Sequence, residues 1–269
     1  MHKHIILNNG LTMPAVGFGT WMLKGEAGKR AIREALSVGY RLIDTAHMYD
    51  NEGIVGQAVA ESGLRREDIF ITTKLCQTRA GYELAWQGIE ESLARLQTDY
   101  IDLMLIHEPY DEALDMYRAL SEAYHKGVVR AIGISNFNAR QYLDFIGSCN
   151  VVPTINQVEC HVYYRRKELQ QALMTRGTQM QAWSPFTEGK KPIFQDPTPQ
   201  AVGQKYGKTA AQIALRYLVQ QGIGVIPKSS HRERMVENLD IFDVTLTADD
   251  MARIQQLETG ETLFGWYED

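Results

Sequence analysis

The chain has 269 residues, of which 44% are hydrophobic, so it can bury a large core. Its 28 basic and 33 acidic residues give a net charge of −5, which predicts affinity for neither nucleic acid nor an anionic membrane surface. No apolar run approaches the roughly 18 residues of a membrane span and no signal-type leader occurs, so we expect a cytoplasmic protein, and a monomer.

The first predicted element is a hairpin over residues 5–14, in which Asn9-Gly10 forms a two-residue turn that needs positive φ. After it, short runs that are apolar on both faces alternate with amphipathic segments, as parallel strands covered by helices do. The eight predicted strands are Val16–Thr20, Leu42–Thr45, Ile69–Lys74, Ile101–His107, Val129–Ser135, Thr154–Val158, Met180–Trp183 and Gly224–Lys228.

This alternation decides the fold class. Residues 84–96, for example, have the apolar spacing of an amphipathic helix. About eight βα units without a linker predict a single domain over residues 1–269, a closed (β/α)8 TIM barrel with an N-terminal β-hairpin. A doubly wound sheet is the alternative, but Gly17-Phe18-Gly19-Thr20-Trp21 stops short of its Gly-rich fingerprint. Residues 186–199 are the least regular stretch, and we expect a flexible flap there.

Polar or ionisable residues stand where several apolar runs stop. Asp44, Lys74 and His107 lie at the ends of the second, third and fourth predicted strands, and Tyr49 lies in the loop after the second. Because the carboxyl ends of barrel strands meet at the face that carries active sites, we expect these four side chains to converge. A lysine at the end of a buried strand also needs a partner.

Together these four groups predict a site that handles protons. A nearby ammonium lowers the pKa of a phenol, so Lys74, paired with Asp44, would tune Tyr49 as a general acid while His107 orients a carbonyl. No side chain supplies hydride, so a cofactor is required. Each residue also has a structural interpretation, with Asp44 as a cap, Tyr49 as an ordinary loop residue and His107 as a core residue.

Three longer motifs carry a family resemblance. They are Gly39-Tyr40-Arg41-Leu42-Ile43-Asp44-Thr45-Ala46 followed by Glu52 and Val55-Gly56, Ile132-Gly133-Ile134-Ser135-Asn136-Phe137, and Ile226-Pro227-Lys228-Ser229 with Arg234, Glu237 and Asn238. In this order they resemble the signatures of the aldo-keto reductase superfamily. The resemblance implies a (β/α)8 barrel, NADP(H) bound without a Rossmann domain, and reduction of aldehydes and ketones to alcohols. It also implies a catalytic tetrad of Asp44, Tyr49, Lys74 and His107, with Tyr49 as the acid.

The resemblance further implies where the nicotinamide half of the cofactor lies. Ser135, Asn136 and Gln157 stand at strand ends, and their hydroxyl and amide groups suit a carboxamide; strand-end capping is the alternative. Thr20, at the end of the first predicted strand, is a further predicted cofactor-binding residue. Trp183 stands where relatives usually have a tyrosine stacked on the nicotinamide, and core burial is its other interpretation. Ser184 would begin the contacts with the pyrophosphate.

A basic cluster late in the chain suits a ribose 2′-phosphate. Lys228, Ser229 and Arg234 offer positive charge and a hydroxyl, which favours NADP(H) over NAD(H). Glu237 and Asn238 match positions that read the adenine edge in the family. A solvated helix start is the competing interpretation of the segment around Arg234.

The expected substrate is a small carbonyl compound. Trp21, Tyr49, His107 and Glu108 are the predicted pocket residues, and Glu108-Pro109 stands where many relatives have Trp-Pro. An acidic side chain there disfavours carboxylate substrates. The chain resembles bacterial reductases of small aldehydes and 2,5-diketo-gluconate. Weaker candidates for the pocket wall are Met22, Met48, Tyr110, Phe264, Trp266 and Tyr267.

Cysteine and histidine usage bears on the remaining alternatives. Cys76, Cys149 and Cys160 are widely spaced without a CxxC, so reduced thiols are expected, and Cys76, just after Lys74, is a candidate reactive thiol. A metal-dependent hydrolase on the same barrel is one alternative, and it would need clustered metal ligands. The seven histidines are scattered along the chain, so we expect no metal site. An NADPH-sensing module with slow turnover is the other alternative, and the intact tetrad argues against it.

Overall fold

Eight parallel strands form the centre of the molecule, as a computed structural model of residues 3–265 shows; the predicted pocket residues Trp266 and Tyr267 lie outside the described residues. An antiparallel hairpin of β1 (His4–Ile6) and β2 (Thr12–Pro14) precedes them. The parallel strands are β3 (Phe18–Gly19), β4 (Leu42–Asp44), β5 (Phe70–Leu75), β6 (Leu103–Ile106), β7 (Ile132–Ser135), β8 (Ile155–Glu159), β9 (Gln179–Trp183) and β10 (Gly224–Val225). Each pairs with the next in chain order.

The sheet closes on itself between its first and last strands. Val16 forms a parallel bridge with Val225, the Gly17 amide donates to the Val225 carbonyl at 2.8 Å, and the Val225 amide donates to the Ala15 carbonyl at 2.9 Å. These contacts join the start of β3 to β10, so the sheet has no free edge there. The predicted (β/α)8 barrel with its N-terminal hairpin is therefore confirmed.

Within residues 3–265, ten α-helices surround or follow the strands. They are α1 (Gly25–Val38), α2 (Glu52–Ala60), α3 (Tyr82–Leu96), α4 (Ala113–His125), α5 (Ala139–Ile146), α6 (Lys167–Met174), α7 (Pro197–Tyr206), α8 (Ala210–Gln220), α9 (Arg232–Leu239) and α10 (Ala248–Gln255). Most bury one apolar face against the strands and leave a charged face in solvent. No helix within residues 3–265 has both the length and the apolar character needed to cross a membrane.

Two hydrophobic layers position the site. The larger lies between strands and helices, and a smaller cluster fills the barrel interior. In the interior cluster, Leu7 and Met13 from the hairpin meet Leu42, Phe70 and Leu103, the first residues of their strands. The hairpin therefore covers the amino-terminal end of the barrel and leaves the carboxyl ends of the strands for chemistry.

Local details differ from the sequence prediction in two places. The hairpin connection spans residues 7–11, and within it only Gly10 has positive φ, so the predicted two-residue turn is wrong. Its register is set instead by Asn9, whose side-chain oxygen accepts from the Leu11 amide. The expected flap over residues 186–199 carries buried Thr187 and Ile193, which anchor it to the barrel.

Several strands are shorter than predicted. The prediction Val16–Thr20 corresponds to β3 at Phe18–Gly19, and Ile101–His107 corresponds to β6 at Leu103–Ile106. Thr20 and His107 therefore lie just past their strands, whereas Asp44 ends β4 and Lys74 lies within β5.

Candidate active site

A buried ion pair lies at the carboxyl end of the barrel. The Lys74 ammonium on β5 donates to Asp44 Oδ1 of the neighbouring β4 at 2.6 Å and to the Thr45 carbonyl at 2.8 Å. Gln157 reaches across from β8 and donates to the other carboxylate oxygen of Asp44 at 2.6 Å; its amide also donates to Gln181 on β9 at 2.7 Å. Both charges are thus buried with their hydrogen bonds satisfied, the condition under which a buried ion pair persists.

Tyr49 completes a hydrogen-bonded chain with this ion pair. It ends a single helical turn, His47–Tyr49, and Lys74 Nζ lies 3.4 Å from its hydroxyl. The exposed Trp21 ring covers the phenol at a centroid distance of 4.8 Å, and the His107 ring meets it edge-on at 5.7 Å. The four residues predicted as a tetrad are therefore in mutual contact or one contact apart.

Burial dominates the electrostatics of the phenol. Desolvation raises the pKa of Tyr49 above its ordinary value, and the positive charge of Lys74 offsets only part of that rise. The predicted direction of the Lys74 effect is confirmed, but desolvation, of which a sequence gives no measure, exceeds it.

The ammonium stays charged in this site. Burial lowers the pKa of Lys74, but Asp44 and then Tyr49 raise it by more, so it stands above its ordinary value. The pairing distance of 2.6 Å explains the strength of the Asp44 effect. Lys74 therefore presents a fixed positive charge to the phenol oxygen.

His107 is a neutral imidazole. It lies directly after β6 and is buried, and burial followed by the charge of Lys74 holds its pKa well below the ordinary value. Its Nδ1 atom is buried without a hydrogen-bond partner among the described residues. A buried polar atom without a partner is costly, so this nitrogen calls for a functional explanation.

Four residues expected to bind the cofactor share one network. The Thr20 hydroxyl donates to the Asp44 carbonyl at 2.8 Å, and the Ser135 hydroxyl donates to the Gln157 carbonyl at 2.7 Å. Asn136 has a left-handed backbone, with φ of 65°, and its side-chain amide donates to the His107 carbonyl at 3.1 Å. These partners fix the side chains while leaving acceptor or donor capacity in Ser135 and Asn136.

Trp183 and Ser184 follow on β9 and its exit. The Trp183 indole donates to Asn136 Oδ1 at 2.8 Å, and the ring of Phe264 packs against it edge-on at 5.0 Å. The Ser184 hydroxyl donates to Glu188 at 2.6 Å. Only partial burial of Trp183 leaves ring surface open, in agreement with a stacking role.

The predicted 2′-phosphate cluster lies after β10. Lys228 and Arg234 are exposed, and within residues 3–265 neither has an ion-pair partner. Ser229 is buried, and its hydroxyl accepts from the His231 amide at 3.0 Å. Two exposed, positively charged side chains and a hydroxyl are groups that can bind an anion such as a phosphate.

The predicted adenine readers are occupied by protein partners. Glu237 accepts a hydrogen bond from the Thr209 hydroxyl, and Asn238 is buried and hydrogen-bonded to the Tyr40 side chain. Both lie on α9 beside the basic cluster. Their recognition role stays a prediction.

Pocket residues surround the mouth of the site unevenly. Trp21, Met22 and Met48 are exposed, whereas Glu108 and Tyr110 are partly buried in the loop after β6. Burial, and secondarily the charge of Glu108, raises the pKa of Tyr110. The charge of Glu108 therefore acts on the nearby Tyr110 hydroxyl.

Sequence reasoning missed two residues of this network. Gln181 connects to the ion pair through Gln157, and its one signal is a polar side chain within an otherwise apolar strand. Glu188 is held by Ser184 and contributes to the raised pKa of Tyr49. Its segment has no regular pattern, so nothing in the sequence indicated this proximity.

The chemistry of the site fits NADP(H). Hydroxyl and amide side chains at the strand ends suit a carboxamide, and the exposed Lys228 and Arg234 suit a phosphate. Among the described residues no cluster of three or more His, Cys, Asp or Glu side chains could hold a metal ion.

Comparison with known proteins agrees with this geometry. Residues 15–259 match the Aldo/keto reductase family. The chain is 40% identical to a glyoxal reductase of Bacillus subtilis over 95% of this chain and 92% of that protein. An aldo-keto reductase from a Medee basin deep-sea metagenome superposes with a TM-score of 0.95 at 40% identity, covering 98% of each chain.

A second solved structure bears on the cofactor. It is an aldo-keto reductase of the silkworm, Bombyx mori, complexed with NADPH, with a TM-score of 0.91 at 35% identity over 96% of this chain and 88% of that one. The predicted family and enzyme class are thereby confirmed. The chain belongs to the aldo/keto reductase family and is an oxidoreductase that acts on carbonyl groups.

Proposed function

We propose that this enzyme reduces small aldehydes and ketones to alcohols with NADPH, and that Tyr49 is the general acid. The observation that carries the proposal is the buried chain from Asp44 through Lys74 to the Tyr49 hydroxyl, with links of 2.6 and 3.4 Å. A phenol in this position can donate its proton, and the nearby ammonium stabilises the phenolate that remains.

Three side chains have different roles at the substrate oxygen. NADPH, when bound, supplies hydride to the carbonyl carbon. His107, neutral at physiological pH, holds the carbonyl oxygen by a hydrogen bond. Tyr49 gives that oxygen its proton, and its raised pKa keeps the phenol protonated between turnovers. Lys74, with its pKa raised by Asp44, stabilises the resulting phenolate.

The cofactor would lie across the carboxyl ends of the strands, next to the hydrogen-bond network of the site. Ser135, Asn136 and Gln157 would hold the carboxamide, and Trp183 would stack on the ring. Thr20 and Ser184 would contact the sugar–phosphate part, and Lys228, Ser229 and Arg234 would bind the 2′-phosphate, with Glu237 and Asn238 at the adenine. Free cations at Lys228 and Arg234 support a preference for NADPH over NADH.

The substrate class follows from the pocket and from relatives. Similar proteins are a glyoxal reductase of Bacillus subtilis and a methylglyoxal reductase of Escherichia coli, the latter 37% identical over 96% of this chain. The partly buried Glu108 on the rim opposes anionic substrates. We therefore propose neutral small carbonyls, α-dicarbonyls and diketo-sugars, bound against Trp21, Tyr49 and His107.

Replacement of the acid tests the proposal. Tyr49→Phe is expected to lower the kcat of NADPH oxidation with methylglyoxal by roughly 10²–10⁴-fold, because proton transfer to the oxygen is lost. The Kd for NADPH, measured by quenching of tryptophan fluorescence, should stay within about twofold, since the hydroxyl does not hold the cofactor.

Tyr124→Phe, on α4 away from the site, is the matched control and should keep normal turnover. Near-normal kcat in Tyr49→Phe would contradict the assignment of the acid.

A further inference from the structure

A second reactive group lies behind the catalytic turn. Cys76 directly follows β5, two residues after Lys74, and is partly exposed. Its Sγ atom lies 3.2 Å from the Thr78 hydroxyl, and the Thr78 amide also hydrogen-bonds to the sulfur. The side chain of His47 lies within hydrogen-bonding reach of the same sulfur. The proposed reduction of carbonyls uses none of these groups.

Two carboxylates lie near the imidazole of His47. It is only 8% exposed, and its Nε2 atom lies 3.4 Å from Glu91 Oε2 and 3.9 Å from Glu52 Oε2. Nε2 makes no hydrogen bond within the described part of the chain. Arg79 Nη2 donates to Glu91 at 2.6 Å and fixes that carboxylate. Thiol, imidazole and carboxylate therefore stand in a row, an arrangement that activates a cysteine.

The environment distinguishes this thiol from the other two. Burial raises the pKa of Cys76, but His47 and Thr78 lower it by more, to about 7. Burial raises the pKa of Cys149, and it raises that of Cys160 to about 12. Since the thiolate is the nucleophile, Cys76 is the reactive one of the three at neutral pH.

Other groups near the thiol carry negative charge and oppose its ionisation. Tyr110 and Glu108, in the loop after β6, lie close enough for their charges to interact with each other, and Tyr110 interacts with the Cys76 charge. The carboxylates of Glu52 and Glu91 lie beyond the imidazole. The net effect is still in favour of the thiolate, because His47 and Thr78 contact the sulfur itself.

We propose that Cys76 is a site of reversible covalent modification by small-molecule disulfides, with His47 as its activating partner. The Cys76 thiolate attacks one sulfur of the disulfide, a new sulfur–sulfur bond forms, and the disulfide's own bond breaks. The second sulfur leaves as a thiolate and takes a proton from solvent. Cys76 is oxidised and the leaving sulfur is reduced.

The product would affect the catalytic turn. His47 begins and Tyr49 ends the same helical turn, so a bulky group on Cys76 displaces His47 and with it the phenol. This consequence rests on the proposed function, whereas the modification itself does not. All three cysteines are unpaired and Cys160 is buried, so the mixed disulfide is the expected product.

The modification is tested with oxidised glutathione on the full chain. Mass spectrometry of the intact and digested protein should show one added glutathione, on Cys76, removed by dithiothreitol. Cys76→Ser should take up none, and the matched control Cys149→Ser should react as the wild type does.

The role of His47 is tested by the rate. Alkylation of Cys76 by iodoacetamide should rise with pH with a midpoint near 7, and His47→Gln should slow it by roughly tenfold at pH 7, as the thiolate fraction falls. Thr78→Val is a milder variant that should slow it less, and thermal melting shows whether both variants stay folded. A midpoint at the ordinary thiol pKa, or glutathione on Cys149 instead, would overturn the proposed site.

Turnover tests the link to Tyr49 separately. Glutathionylated wild type should lose most NADPH oxidation with methylglyoxal and recover it on reduction, while Cys76→Ser should be insensitive. Complete modification with unchanged turnover would overturn the link. An inactive wild type that still labels at Cys76 would contradict the proposed function and not the site.

Discussion

At the scale of residues, the Lys74 ammonium shows why catalytic and structural roles overlap in this site. Its three N–H donors meet Asp44 Oδ1, the Thr45 carbonyl and the Tyr49 hydroxyl. Removal of the lysine would leave a buried Asp44 without its counter-charge, which costs about 3–5 kcal/mol. A variant of Lys74 therefore reports stability as well as chemistry. Exposed site residues allow cleaner tests.

Arg234 is such a residue. Arg234→Ala is expected to raise the Kd for NADPH by roughly 10–100-fold, the value of a charge-assisted hydrogen bond to phosphate, and to leave the Kd for NADH nearly unchanged. Fluorescence titration with both nucleotides measures this. Arg232→Ala on the same helix, whose side chain pairs with Glu34, is the matched control and should change neither Kd greatly. Equal losses for NADPH and NADH would refute the 2′-phosphate role.

At the scale of elements, several helices around the barrel begin with a side-chain cap. α5, α8 and α10 each begin with a reciprocal capping box, at Asn138, Thr209 and Thr247. In α10 the capping partner Asp250 is fully buried and also accepts from Lys205 and Tyr206 of α7. One carboxylate therefore joins a helix start to a neighbouring helix.

This carboxylate gives a pH-dependent contribution to stability. Burial raises the pKa of Asp250, but hydrogen bonds from Lys205, Tyr206 and Thr247 lower it by more, well below the ordinary value. A lowered folded-state pKa gives a stabilisation that is complete above the unfolded value of about 3.9, begins to fall below it and is lost only as pH passes through the folded-state pKa. Asp250→Asn should therefore destabilise at pH 7 and cost less near pH 3.

We expect Asp250→Asn to lower the free energy of unfolding by about 1–2 kcal/mol at pH 7. The value is modest because solvent screens the charge of the half-exposed Lys205. Urea unfolding at both pH values measures it. Asp249→Asn, the exposed neighbour, is the control and should show a small effect at either pH. A loss as large at pH 3 as at pH 7 would contradict the assignment.

At the scale of the whole molecule, close packing across the barrel limits what its strands accept. A Cβ atom on Gly133 of β7 would lie 2.6 Å from the Ile155 carbonyl oxygen and 2.7 Å from Leu105 Cδ2. On Gly224 of β10 the nearest atoms would be 3.4 Å away, in ordinary contact. The closed ring cannot widen at one strand without disturbing its neighbours.

Gly133→Ala should therefore lower the free energy of unfolding by about 1–3 kcal/mol, while Gly224→Ala should be close to neutral. Thermal or urea unfolding of the two variants side by side measures the difference. Equal stability of the two would show that the barrel relaxes around β7 freely.

The sequence by itself determined the fold class and the set of chemical groups in the site. Alternation of apolar runs with amphipathic segments encodes βα units, and the polar residues where runs stop, such as Asp44, Lys74 and His107, must share one end of a parallel barrel. These are properties of local spacing, which a sequence contains. The catalytic roles assigned to these residues remain proposals.

The tertiary structure alone decided the energetics and the long-range partners. Gln157 is 113 residues from Asp44 and yet bonds to it, and Cys76 meets His47 from a different strand. The pKa of Tyr49 rises because desolvation exceeds the attraction of Lys74, although charge alone predicted a fall. Desolvation and contact depend on distances in three dimensions between segments far apart in the chain, and residue spacing carries no measure of them.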